Sequence, residues 1–171
     1  IHAAALVELG DRVAAQQVLH LRQEDGLRTR LGEWHVHVVV QDHDEPHLAR
    51  EIEQAIIHEG PDSVAAVIGE PISASAGVFI PDAEYWQIIR ETCSKYGVLL
   101  ILDEVLVGMG RTGRMFAHEH FGVIPDILTL SKGVASGYAP IGATLVSPRV
   151  AASFDGENAL AHGYTYGNHP V

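Results

Sequence analysis

Three residues in this chain combine a reactive side chain with a position just beyond an apolar run: Glu70 after VAAVIG, Asp103 after VLLIL, and Lys132 after DILTLS. A partly desolvated lysine can lose its proton and attack an aldehyde, which is the chemistry of a Schiff base. A carboxylate that follows five apolar residues is costly to desolvate unless a cation or a hydrogen-bond donor meets it, so Asp103 requires a partner. Lysine usage narrows the choice, since the 11 basic residues comprise nine arginines and only Lys95 and Lys132. Lys95 falls near the end of a helical segment, where a cation suits the negative pole of the helix dipole and needs no other role. Lys132 lies between Ser131 and Gly133 at a strand-to-loop transition, where a surface role is less natural. Many lysines follow strands without reacting, and an aspartate at such a place can simply cap a tight turn. Both readings stay open on spacing alone.

The elements that must position these residues follow from periodicity. Residues 64–70 form a short continuous apolar run closed by Glu70-Pro71, the profile of a strand buried on both faces. Pro81-Asp82 opens a helix to Tyr96, with Tyr85, Ile88, Ile89, Thr92 and Cys93 at helical spacing and Gly97 as its stop. Residues 98–102 are again a buried strand. Strand, helix and strand make a βαβ unit with parallel strands and a right-handed crossover. A glycine-rich stretch (Gly108, Gly110, Gly113), a short helix near 115–121, strands at 126–130 and 141–146 and a short helix at 148–154 continue the alternation. This pattern specifies an α/β fold with a mostly parallel sheet flanked by helices. Residues 47–58 read as an amphipathic helix with positions 48, 52, 55 and 56 on one face. Residues 1–45 are the least legible: 3–21 suggest one helix and 34–41 a strand. In open sheets of this class ligands bind at the carboxyl ends of parallel strands, which places Glu70, Asp103 and Lys132 on one edge.

Bulk properties remove whole classes of function. The chain has 171 residues, is 47% hydrophobic and carries a formal net charge of −11, so no basic stripe exists to neutralise nucleic-acid phosphates. The single Cys93 allows no internal disulfide, which fits a reducing, cytoplasmic compartment. The longest apolar runs fall far short of the ~20 residues of a membrane helix. No signal sequence is visible, and neither membrane nor nucleic-acid partners are expected.

From about Ser63 to Val171 the motifs recur in a known order: Gly69-Glu70-Pro71-Ile72, Leu102-Asp103-Glu104-Val105, Gly108-Met109-Gly110-Arg111-Thr112-Gly113, Ser131-Lys132-Gly133, Gly142-Ala143, and His162-Gly163-Tyr164-Thr165-Tyr166 with His169-Pro170. In this series the chain resembles the class III aminotransferases, which depend on pyridoxal 5'-phosphate (PLP). The resemblance implies that residues 46–171 are part of the large PLP-binding domain of a fold type I enzyme. It implies Lys132 as the Schiff-base lysine and general acid-base, and Asp103 as the partner of the pyridine nitrogen. That nitrogen must stay protonated for the ring to accept electrons. It also implies Val105 against the ring face, Thr165 at the cofactor phosphate of a neighbouring subunit, hence a homodimer, and Glu70 in a supporting place near the site. Ser75 stands where members acting on ornithine tend to carry an acidic residue, and Leu106 where some carry glutamine. Both departures favour an omega-amine:pyruvate type, moving an amino group from an amine or omega-amino acid to a keto acid. Taken alone, Thr165 is equally an ordinary loop hydroxyl, and the glycines around Arg111 are turn formers.

Two other enzyme outcomes, aminomutase and decarboxylase, use the same scaffold and lysine. A metal-binding reading rests on 11 histidines, with His35 and His37, His43 and His47, and His118 and His120 in pairs; Pro46 interrupts the second pair and no cysteine or His-Glu-x-x-His motif assists. A third reading is a catalytically incomplete fragment: residues 1–45 do not show the glycine- and serine-containing phosphate loop and the aromatic residue that precede this region in the family, so these either lie upstream or have diverged, and the family's small C-terminal domain is not expected within this chain. The 171-residue chain alone is therefore expected to show little or no transaminase activity, and robust turnover by it in an alanine-forming assay contradicts that expectation.

Overall fold

A computed structural model describes residues 2–6, 16–21, 34–39, 46–74 and 77–154, the first three segments as backbone only. Seven strands lie side by side in chain order: β1 (His2–Leu6), β2 (Gln16–Leu21), β3 (Trp34–Val39), β4 (Val64–Gly69), β5 (Leu99–Asp103), β6 (Ile127–Leu130) and β7 (Ala143–Val146). Strands β3 to β6 are mutually parallel, while β1, β2 and β3 pair antiparallel and β7 runs antiparallel to β6. The α/β class and its parallel centre are as the sequence predicts; the sheet is mixed, with antiparallel pairings at both ends.

One expected element is corrected. Residues 3–21 are not one helix but contribute β1 and β2. Residues 16–21 pair one for one with 34–39, from Gln16 opposite Val39 to Leu21 opposite Trp34, and this ladder overrides the helical preference of the alanines. The Gly10-Asp11 dipeptide is the sequence signal that breaks the run. The expected strand beginning at Trp34 is present.

Helix α1 (Pro46–Glu59) precedes β4, α2 (Ala83–Tyr96) joins β4 to β5, and α3 (Pro148–Ala151) follows β7. The α2 helix ends where Gly97 takes a left-handed conformation, φ +72°, which a residue with a side chain adopts only at a cost. The helix expected near 115–121 is a single 3₁₀ turn, Ala117–His120. The core lies between the helices and one sheet face. Ala49, Ile52 and Ile56 of α1 and Tyr85, Trp86, Ile89 and Cys93 of α2 pack on Val67, Leu100, Leu102, Leu128 and Leu130. Burial of each such large side chain contributes roughly 1.5–3 kcal/mol. Inside this core Trp86 Nε1 donates to Pro71 O at 2.9 Å, which fastens α2 beneath the end of β4. Burial pushes the Cys93 thiol up to about 12, so it is a packing residue and not a nucleophile.

Asp126 fixes the start of β6. Its Oδ2 accepts from Leu100 N–H at 2.9 Å and Arg90 Nη1 at 2.9 Å, and its Oδ1 from Arg149 Nη2 at 3.2 Å. Burial alone would raise this carboxyl, but the Leu100 amide, the bond and charge of Arg90 and the charge of Arg149 outweigh it and hold the group below its ordinary value. A carboxyl lowered by folding adds stability that is complete above the ordinary aspartate value and is lost as pH falls through the lowered one. Asp126→Asn is therefore expected to lower stability at pH 7 by about 2 kcal/mol and to flatten the acid loss below about pH 4, read from urea midpoints. An acid slope identical to the native one contradicts this role.

Candidate active site

Parallel pairing brings the ends of β4, β5 and β6 to one edge of the sheet. Gly69 is the register partner of Leu102, and Asp103 of Thr129, so Glu70, Asp103 and, three residues past Thr129, Lys132 leave that edge together. The convergence expected from the strand pattern is met at the backbone.

Asp103 is half-buried, and its Oδ1 accepts the Val105 N–H at 2.9 Å. The turn-capping use of this carboxylate is thus real. Its Oδ2 meets no donor among the described residues and stays open, so capping and a second role coexist on one side chain. Val105 follows as a half-buried residue of that turn.

The wholly desolvated carboxylate is the next one along. Glu104 has a side chain 0% exposed and accepts three N–H groups: Ala117 N at 2.6 Å, His118 N at 2.8 Å and His118 Nδ1 at 2.7 Å. Alternation along β5 explains its burial, since 104 faces the same side as Leu100 and Leu102. The need for donors anticipated at Asp103 is met more fully at Glu104, a residue that sequence reasoning passed over. The available signal was a second carboxylate on the core face of a buried strand. Glu104 N–H donates to Thr129 O at 3.0 Å, and its own carbonyl accepts from Gly108 N at 2.9 Å. The residue therefore ties β5, β6 and the loop after β5 into one unit.

The two loops interlock tightly enough to exclude side chains at Gly108 and Gly133. A Cβ on Gly108 would lie 2.7 Å from Glu104 O, and one on Gly133 would lie 2.7 Å from Met109 Cβ. Gly110 and Gly113 form a turn at positive φ, 88° and 86°. The glycine stretch is structural, as its composition implies. Lys132 itself is held at φ +32°, a conformation uncommon for a residue with a side chain, and opens the turn Lys132–Val134. Its carbonyl accepts from Ser136 N at 2.8 Å, while its ammonium is exposed and takes no ion pair among the described residues. The other lysine, Lys95, is engaged with Glu53 Oε1 at 2.8 Å on the surface.

Glu70 Oε2 accepts the Ala74 N–H at 2.8 Å and so shapes the turn after β4. Thr165 and Ser75 lie outside the described residues. Of the histidines, His118 is taken by Glu104, and His120 Nε2 lies 3.0 Å from Thr112 Oγ1. No group of three metal-ligating side chains occurs among the described residues.

The profile of the Aminotransferase class-III family matches residues 22–171. The chain belongs to the class III aminotransferase family. Pyridoxal phosphate is the cofactor that membership implies. The chain is 48% identical over 117 residues to a taurine–pyruvate aminotransferase of Bilophila wadsworthia, covering 68% of this chain and 26% of that protein. To a putrescine–pyruvate aminotransferase of Pseudomonas aeruginosa it is 41% identical over 123 residues, 72% and 27% of the two chains. It superposes with a TM-score of 0.67 and 44% identity on an amine transaminase from an uncultivated Pseudomonas species, in a PLP-bound crystal form, over 70% of this chain and 28% of that one. The chain thus spans about a quarter of the length of the relatives it matches.

The residues present fit the ring end of that cofactor. An acceptor oxygen stands open on Asp103, an unpaired ammonium on Lys132, and beside Asp103 the hydroxyl of Thr129 is buried without a partner. A buried carboxylate with three donors is costly to remove, because its donors are then left unpaired. Glu104→Ala in the full-length protein is expected to cost about 3 kcal/mol or more in urea unfolding, and Glu104→Gln less; a Glu104→Ala protein within about 1 kcal/mol of native removes Glu104 from this account.

Proposed function

We propose that the full-length protein is a PLP-dependent aminotransferase that moves an amino group from an amine or omega-amino acid to a keto acid such as pyruvate. One observation carries this reading: in a member of the family, Asp103 and Lys132 stand at the carboxyl ends of adjacent parallel strands, each with a functional atom left open. The pyruvate-dependent taurine and putrescine relatives support the acceptor and the donor class. In this reading residues 46–171 are part of the PLP-binding large domain.

When bound, the cofactor supplies an electron sink for the bonds around the amine-bearing carbon. The protein's own residues do the rest. Asp103 Oδ2 accepts the ring N–H and keeps that nitrogen protonated, because an anion favours the charged form of its neighbour. Lys132 Nζ holds the cofactor through its aldehyde carbon. The same nitrogen would move a proton between the substrate carbon and the cofactor carbon, the work of a general base and acid. Val105 packs against the ring face and fixes its plane. Glu70 shapes the turn beside the site, and Thr165 binds the phosphate of a neighbouring subunit, which makes the working unit a homodimer.

Borohydride reduction of the PLP-loaded full-length protein, followed by peptide mapping, is expected to mark Lys132. Lys132→Ala is expected to lower kcat for pyruvate-dependent alanine formation by on the order of 10²–10⁴-fold. A label on Lys95, or on no lysine, contradicts the assignment.

A further inference from the structure

Among the described residues one side-chain polar atom is buried with no hydrogen-bond partner, Thr129 Oγ1. Such an orphan costs free energy and is retained where something else meets it. Thr129 is the register partner of Asp103 in the parallel ladder, so the two side chains leave the same face of the sheet from neighbouring strands. Those strands lie ~4.8 Å apart, which a hydroxyl and a carboxylate span by rotation about single bonds. The backbone at this point cannot drift, because Glu104 N–H donates to Thr129 O at 3.0 Å. Asp103 has the complementary deficit: Oδ1 is taken by the Val105 N–H at 2.9 Å, and Oδ2 has no donor among the described residues. The other register neighbour of Thr129, Thr144 on β7, is exposed to water and needs no protein partner. A donor without an acceptor therefore stands beside an acceptor without a donor.

We infer that Thr129 is a positioning residue for the cofactor-binding carboxylate, its hydroxyl donating to Asp103 Oδ2 in the loaded protein. The inference rests on the reading of Asp103 as the partner of the ring nitrogen. A carboxylate oxygen has two lone-pair sites, so Oδ2 accepts from Thr129 and from the ring N–H together. With Val105 on one oxygen and Thr129 on the other, the carboxylate plane is fixed. Thr129 touches neither substrate nor cofactor and acts through Asp103 alone.

Titration of full-length apoprotein with PLP, followed by the visible band of the bound cofactor, tests this with Thr129→Val, Thr129→Ser and Asp103→Asn. Valine keeps the shape and loses the hydroxyl. It is expected to weaken PLP binding about tenfold, while serine stays within about threefold of native. The apo Thr129→Val protein is expected to melt at or above the native temperature, since an orphan has been removed. If valine binds PLP as tightly as native while Asp103→Asn does not, the inference about Thr129 is overturned and the reading of Asp103 stands. If Asp103→Asn also binds as tightly as native, both fall. Equal weakening by valine and serine, with a lowered apo melting temperature, assigns Thr129 a packing role and overturns the inference as well.

Discussion

The edge of this sheet where β4, β5 and β6 end depends on a carboxylate kept entirely out of water. Glu104 survives there because three N–H groups of residues 117 and 118 meet its two oxygens. An ionised group in such a place costs several kcal/mol without those donors, and the donors are equally costly without it. The mutual dependence draws the loop after β5 back against the sheet. Through Glu104 N–H on Thr129 O and Gly108 N–H on Glu104 O, it also sets β5 against β6 and the loop against both. Rigid support of this kind is what a reacting constellation needs, because its members must be held to a fraction of an ångström.

What the support positions is a division of labour between two neighbouring carboxylates. Strand alternation sends Glu104 into the core with Leu102 and sends Asp103 to the opposite face with Ile101. The same chemical group is structural in one residue and available in the next. Lys132 reaches the edge from β6, through a backbone at positive φ and a glycine that leaves no space for a side chain beside Met109. Strain at that position persists only where the surroundings over-determine it.

Much of this was legible in the sequence. The continuous apolar runs at 64–70 and 98–102 predict buried parallel strands, and helix α2 between them follows from its spacing and from Gly97. The glycines at 108–113 are readable as turn formers, whereas the close approach at Gly108 and Gly133 is a property of the packed loops. The places of Lys132 and Asp103 at or just beyond the ends of adjacent strands were readable from the apolar runs before them, and the family from the motif order. The failures have physical causes. Residues 3–21 carry a helical composition, and the pairing of β2 with β3 and of β1 with β2, contacts distant in sequence, makes 2–6 and 16–21 strands. Glu104 was overlooked because its three donors lie 13 and 14 residues away, in a turn whose fold back onto β5 no local pattern announces. Thr129 carries no signal of its own: its interest lies in having no partner, and that is a property of three-dimensional surroundings.

The central claim is that Asp103 and Lys132 clasp one pyridine ring between adjacent strands. A crystal structure of the full-length protein loaded with PLP measures this directly. The account predicts an Asp103 carboxylate oxygen within ~3.0 Å of the ring nitrogen, and Lys132 Nζ bonded to the cofactor's aldehyde carbon. A ring nitrogen more than ~4 Å from Asp103, or a cofactor joined to another residue, contradicts it.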